Sequence, residues 1–317
     1  MDKKVLVLGA TGAMGSYLVP KLIERGYRVD GISMDDAVSD NSALHYYKEN
    51  AIDEAVITER LKGGYDAIVD FMVYNNNNIP FKERMPLLLR NTDHYIYFST
   101  YRVFADSKTP INERSDRLLD VATDPYFLAS DDYSLHKARG EDALRKSGYK
   151  NYTIVRPAIT YSQKRCQLVT LERPSVLSAL REKRPILLPE TARNIEGTMS
   201  WGGDVAEMLV RLIFNDAALC EDFNVTTSEH HKWGEIAEYY REIFGLESEW
   251  VSEEEYFKCR NDAPDWRQAV IWQLHLDRLF NRVMDNTKIL GITGMKQSEL
   301  MTLYNGLEHE RESILAE

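Results

Sequence analysis

The chain has 317 residues, 44% hydrophobic and 28% charged, a composition that excludes an intrinsically disordered, collagen-like or membrane-embedded protein. At this length about three quarters of the unfolded surface can be buried, so a core can form without disulfides or metal. The formal charge of −11 should repel a phosphate backbone and argues against a nucleic-acid partner, and the scattered Cys166, Cys220 and Cys259 supply neither a disulfide framework nor a thiolate zinc site.

The sequence runs from Met1-Asp2-Lys3-Lys4 straight into an apolar stretch ending at Gly9, and no apolar run approaches the roughly 18 residues of a membrane span. The expectation is a cytoplasmic protein without a membrane partner. Strands are predicted at Lys4 to Leu8, Arg28 to Ile32, Asp66 to Phe71, Tyr95 to Phe98 and Tyr152 to Val155, each short and rich in Val, Ile or aromatics. Amphipathic segments separate them. In the first, Leu18, Leu22 and Ile23 recur at helical spacing and Gly26 marks the stop, while Pro20 fits only near the first turn. Alternating strands and helices imply an α/β fold, a doubly wound parallel sheet of Rossmann type. Asn75 to Asn78 read as a loop.

After Pro157 helical stretches dominate, at Pro174 to Glu182, Asp204 to Phe214 and Lys232 to Phe244. The expected division is a dinucleotide-binding domain over 1–160 and a smaller, mostly helical substrate lobe over 161–317, with some elements crossing back. Glu253 to Trp266 is acidic and aromatic without a clean period. Trp266 to Phe280, with Val270, Ile271, Leu274 and Leu279, reads as a buried helix face.

Gly9, Gly12 and Gly15 fall between the first strand and the first helix, at a spacing that lets backbone approach a pyrophosphate resting on the helix N-terminus. At the end of the second strand, where NAD-binding units usually carry an acid for the ribose, stand Ser33 and Met34. No Arg or Lys follows to take a 2′-phosphate, and Asp35 and Asp36 would repel one, which favours NAD without excluding NADP. Tyr133 and Lys137 stand four apart and share a face if the segment is helical. A tyrosine of ordinary pKa near 10 is a poor base, but a neighbouring ammonium and an oxidised nicotinamide favour its phenolate. Upstream, a strand ends in Ser99-Thr100, so Thr100 could donate to a substrate oxygen beside Tyr133. The adjacent His230-His231 point apart and no carboxylate spacing follows, so no metal site is expected. His136 is expected to face solvent or the cofactor loop.

Taken together, Gly9-x-x-Gly12-x-x-Gly15, Asn50-Ala51-Ile52-Asp53, Phe98-Ser99-Thr100-x-x-Val103-Phe104, Tyr133-x-x-x-Lys137 and Val155-Arg156-Pro157 resemble the extended short-chain dehydrogenase/reductases, the NAD-dependent epimerase/dehydratase family. Asp204-Val205-Ala206, Phe223-Asn224-Val225 and Lys288-Ile289-Leu290-Gly291 resemble its later landmarks. The resemblance implies Tyr133 as general acid/base, Lys137 as its electrostatic partner and ribose ligand, and Thr100 as the substrate-positioning hydroxyl. It implies a dinucleotide lined by Gly9, Thr11, Gly12, Ala13, Met14, Gly15, Ser33, Asn50, Ala51, Phe71, Met72, Val73, Tyr133, Lys137 and Pro157. It also implies a homodimer through Ile79 to Asn91 and Tyr133 to Ser147. Departures are equally specific. Tyr101-Arg102 replaces the Asp-Glu pair of the 4,6-dehydratases, and Gly197-Thr198-Met199-Ser200 lacks the arginine many members place there. Lys164, Arg165 and Arg193 are possible substitutes.

The expected function is an NAD(P)-dependent epimerase or ketoreductase acting on a secondary alcohol or ketone of a nucleotide sugar. The alternative is a non-catalytic member that senses dinucleotide or binds RNA.

Overall fold

The computed structural model describes residues 3–260 and 264–316. Seven strands form one parallel sheet: β1 (Lys4–Leu8), β2 (Arg28–Ser33), β3 (Leu44–Lys48), β4 (Tyr65–Asp70), β5 (Thr92–Phe98), β6 (Tyr152–Pro157) and β7 (Asp222–Val225). Their order is β7-β6-β5-β4-β1-β2-β3, with every neighbouring pair parallel. The direction of winding reverses between β1 and β4, so the loops after these two strands diverge around a crevice.

All five predicted strands are present, though β4 ends at Asp70 and leaves Phe71 in the following loop. β3 and β7 had no such expectation. β3 is an edge strand, Leu-His-Tyr-Tyr-Lys, none of it fully buried, so it lacks the apolar run of an interior strand. β7 has only four residues and reaches the sheet from the later half of the chain, pairing with β6.

Helices cover both faces. α1 (Gly15–Glu24) buries Leu18, Val19 and Leu22 against the sheet, and α2 (Glu54–Leu61), α3 (Phe81–Leu89) and α4 (Tyr133–Lys146) cover the opposite face. Each fully buried aliphatic side chain contributes about 1.5–3 kcal/mol. Pro20 lies in the second turn of α1 rather than the first. It faces solvent, where the carbonyl freed by its missing N–H can be hydrated. α5 (Gly202–Leu212) packs beside α1 through Val205, Leu209 and Leu212. Its start precedes the predicted Asp204 by two positions, and it stops before Phe214, whose φ of 63° is incompatible with a helix.

The helices Arg173–Glu182, Trp233–Phe244 and Leu303–Leu315 surround a second core built on Tyr161, Trp233, Tyr240, Leu303 and Leu307, while the helix Thr287–Thr293 packs Ile289 into the first core beside α5. Among the described residues four two-stranded ladders tie this part together, including Ile159–Tyr161 with Met199–Trp201. No helix among the described residues is long and apolar enough to cross a membrane.

Candidate active site

The turn after β1 is built to bring backbone close to a ligand. Gly9 has φ +87°, and the amides of Gly9 and Ala10 both donate to the Ile32 carbonyl, at 2.9 and 3.1 Å, which pins the turn to the end of β2. A Cβ on Gly15 would lie 2.4 Å from the Gly9 carbonyl oxygen, so α1 can begin this near the strand only with glycine there. Met14 precedes the helix and supplies no side-chain cap, and the Ser16 and Tyr17 amides donate to the Gly12 and Met14 carbonyls at 3.0 and 3.2 Å, so no side chain covers the helix start that faces the cleft.

A cleft of about 550 Å³ opens above this turn, within the usual size of a small-molecule site. Of the residues expected to hold dinucleotide, Gly9, Gly12, Ala13, Met14 and Gly15 line it, joined by Phe71, Val73, Tyr133 and Pro157. Thr11, Ser33, Asn50, Ala51, Met72 and Lys137 do not line it. Thr11 donates to Asp35 Oδ2 at 2.6 Å and shares a short hydrogen bond with Ser33. Asn50 turns its Oδ1 to the Ile52 amide at 3.0 Å, and Ala51 is buried next to it. Lys48 adds what the sequence did not suggest, a cation paired with Ser33 in the β2–β3 register. It is neutralised by Asp36 at 2.5 Å.

Asp132 accepts the Ser134 amide at 2.9 Å and thereby caps α4, which makes Tyr133 its first residue. One turn on, the Lys137 Nζ is buried and donates to the carbonyls of Phe98, 2.6 Å, and Met72, 3.2 Å. It bridges the ends of β5 and β4 and lies 5.9 Å from the Tyr133 ring centre. The hydroxyl pair after β5 divides. Ser99 donates to Glu141 at 2.6 Å, away from the cleft, whereas Thr100 lines it. Thr100 Oγ1 accepts the Arg102 amide at 3.2 Å, so its own proton is free to be donated. Burial alone would raise Glu141, but Arg156 forks onto it and holds its carboxyl at about 2.

His136 faces neither solvent nor the cofactor turn. It is buried edge-on to the Tyr133 ring, 5.3 Å between centres, because the face of α4 that carries it packs inward. Burial, assisted by the nearby Lys137 charge, pushes its imidazole down to about 4. Among the candidate cations, Lys164 donates to the Thr11 carbonyl at 2.8 Å, and Arg165 lines the cleft. Arg193 instead lies over Trp250, 5.6 Å from the ring centre, outside the cleft.

Sequence reasoning missed the far wall. The expected buried face from Trp266 to Phe280 is a helix over Pro264–Gln273 followed by a π-helical turn over Leu274–Arg278. Leu274 is buried as expected, but so are Asp277 and Arg278, while Val270 and Ile271 are half-buried. The Trp266 side chain lies outside the described residues. A π-turn shifts every later side chain relative to a 3.6-residue period, so periodicity could not have found them. Gln167 and Gln273 join Arg278 along the same wall, and Arg102 crosses over Tyr133 with its guanidinium carbon 5.4 Å from the ring centre.

A reversed-winding parallel sheet with an uncapped glycine-rich helix start and a cleft at the switch point defines a dinucleotide-binding α/β protein of the doubly wound class. The model of the NAD dependent epimerase/dehydratase family matches residues 5–225, and the chain belongs to that family. A curated relative, the chloroplast stem-loop binding protein of 41 kDa b of Arabidopsis thaliana, is 25% identical over 247 residues, 72% of this chain. The chain spans 60% of that relative's length. Among solved structures, an epimerase from Methanothermobacter thermautotrophicus superposes with a TM-score of 0.72 at 16% identity, covering 98% of this chain and 92% of its own. The UDP-glucuronic acid 4-epimerase of Bacillus cereus, in complex with UDP-glucuronic acid and NAD, gives 0.71 at 16% identity and 98% of both chains. The UDP-glucose 4-epimerase of Thermotoga maritima gives 0.66 at 17% and 98% of both. These structures share the fold.

Proposed function

We propose that the chain binds NAD in this cleft and oxidises or reduces a secondary alcohol or ketone on a nucleotide-linked sugar, as an epimerase or ketoreductase. One observation carries the reading: Tyr133 lines the cleft that the glycine-rich turn also lines, with the Lys137 ammonium one helical turn behind it. The cradle suits a dinucleotide, since α1 starts uncapped and glycines keep its approach clear. When bound, NAD supplies hydride exchange at C4 of its nicotinamide ring. Tyr133 takes the hydroxyl proton as the alcohol becomes a ketone and returns it in reduction. Thr100 donates to the same substrate oxygen. Lys137, with two protons engaged by Phe98 and Met72, has one left for a ribose hydroxyl.

In this reading residues 1–160 hold the dinucleotide and 161–317 supply the substrate wall, in a cytoplasmic enzyme. A homodimer would form through α3 and α4, where a groove of about 850 Å³ is lined by Phe81, Met85, Arg139 and Lys146. Substrate screening against nucleotide sugars, following cofactor absorbance and product isomer together, separates epimerase from reductase.

A second reading has one observation in its favour, the stem-loop binding named for the Arabidopsis relative. The chain would then be a non-catalytic dinucleotide sensor or an RNA-binding protein. Its charge of −11 opposes an RNA backbone. Retention of stem-loop RNA at physiological salt, with no affinity for NADH, would favour it.

A further inference from the structure

The far end of the cleft holds more buried positive charge than it neutralises. Arg102, Arg278 and Arg282 have side chains only 14%, 3% and 2% exposed, and they converge on Asp277, which is 1% exposed. That carboxylate is already occupied. Its Oδ2 accepts from Tyr101 at 3.0 Å and from Arg278, and its Oδ1 accepts from Arg282 Nε at 3.0 Å. Arg102 Nε stands 3.4 Å from Oδ2 yet is buried without a hydrogen-bond partner. The next acid, Asp132, is 3.8 Å from Arg102 Nη2, with its other oxygen taken by Ser134.

Three buried guanidiniums thus face two buried carboxylates, with Glu172, half-exposed in the same cleft, and the exposed Asp106 acting on Arg278 and Arg282 from the solvent side, and an unmatched charge in the buried part is costly. Burial depresses both inner arginines. Arg278, with Arg102 beside it, lies below its ordinary range, and Arg282 is pushed down to about 10. The excess opens onto the substrate path, because Arg102 and Arg278 line the cleft. Arg102 also lies against Tyr133. An anion reaching Arg102 is therefore carried on the part of the substrate that reacts, within a few bonds of the oxygen at Tyr133.

We infer that the substrate bears an anionic group, carboxylate or phosphate, on its reacting moiety, and that Arg102, backed by Arg278, selects for it. This rests on the hydride-transfer reading of the same cleft. Arg102 supplies two functions with one side chain: a planar fork for the anion and a charge the cluster leaves unsatisfied.

The test uses the full-length chain loaded with NAD. Thermal melting is followed with matched acid and neutral probes, UDP-glucuronic acid against UDP-glucose, glucuronate against glucose and glycerate against glycerol, with inorganic phosphate as a further arm and potassium chloride as the ionic-strength control. The acid member of at least one pair should raise the melting temperature by about 2 °C or more beyond its partner. R102Q should erase that preference and R102K retain part of it. A shift reproduced by inorganic phosphate assigns the group as a phosphate; one confined to the acids assigns a carboxylate. Equal shifts for acid and neutral members, or an acid preference surviving R102Q, overturn the inference, and the wild-type pairs decide alone if R102Q does not fold. Failure of NADH to bind, read by its fluorescence, would instead remove the underlying reading.

Discussion

Glu141 lies two helical turns beyond Tyr133 on α4 and forks onto Arg156, Oε1 to Nε at 2.7 Å and Oε2 to Nη2 at 2.8 Å. Tyr133, Lys137 and Glu141 therefore share one stripe of the helix, with different tasks. Glu141 ties α4 to β6 and, through Ser99, to the end of β5, while Lys137 ties it to the ends of β4 and β5. With those two engaged in the scaffold, Tyr133 at the helix start is the member of the stripe that lines the cleft.

Replacing Glu141 by Ala takes the forked carboxylate from the Arg156 guanidinium, 1% exposed, and leaves it Asp222 at 2.7 Å and the Glu113 carbonyl at 3.4 Å. The expected loss is about 3 kcal/mol of unfolding free energy, since breaking one side of a buried pair leaves an uncompensated charge. Urea denaturation measures it, and a loss below about 1 kcal/mol would mean that Asp222 and water compensate the arginine.

Gly15→Ala should remove dinucleotide binding. The added methyl meets the Gly9 and Ala10 carbonyl oxygens at 2.4 and 2.5 Å, so either the turn or the helix start must move, at about 1–3 kcal/mol. NADH fluorescence titration gives the outcome, and an unchanged affinity would show that the cofactor does not use this turn.

Asp36→Ala frees Lys48 beside the end of β2, where the ribose hydroxyls would lie. NADP affinity should then rise about tenfold, equivalent to about 1.4 kcal/mol, with NAD affinity little altered. A wild-type preference for NADP would contradict the placement of these aspartates.

His94 makes a buried relay that requires the neutral ring. The Phe214 amide donates to its Nδ1 at 3.1 Å, its Nε2 lies 2.8 Å from Thr153 Oγ1, and Thr153 donates to the Ala218 carbonyl at 2.6 Å. Burial pushes this imidazole down to about 4, from about 6.5 in the unfolded chain. The unfolded state thus binds the extra proton first. The stability held by the neutral ring is complete above pH 6.5 and is lost as pH falls towards 4, on the order of 2 kcal/mol by pH 4.5. His94→Gln should lose correspondingly less between pH 7.5 and 4.5 in parallel urea titrations. Equal pH slopes for the two proteins would rule the relay out as their cause.

Much of the nucleotide half was legible because its demands are local. Gly9, Gly12 and Gly15 sit where a strand must hand over to a helix within a few residues, and Tyr133 and Lys137 share a face by helical spacing alone. β7 and the charged wall were not legible, for a different reason. β7 joins β6 by a contact whose partners are far apart in sequence, and its four residues carry little pattern. Asp277 and Arg278 became interior only through a π-turn and through partners on Tyr101 and Arg102, which the apolar spacing of Val270, Ile271, Leu274 and Leu279 does not carry. The solvent expectation for His136 failed likewise, since packing of α4 on its neighbours decides which side is inside.

The most direct test of the central claim is the reaction of wild type and Tyr133→Phe with nucleotide sugars, with NADH binding measured on both. The account predicts turnover in wild type, a fall of about 10²–10⁴-fold in kcat for the variant, and nearly equal NADH affinity in the two. Undiminished turnover by Tyr133→Phe would contradict it.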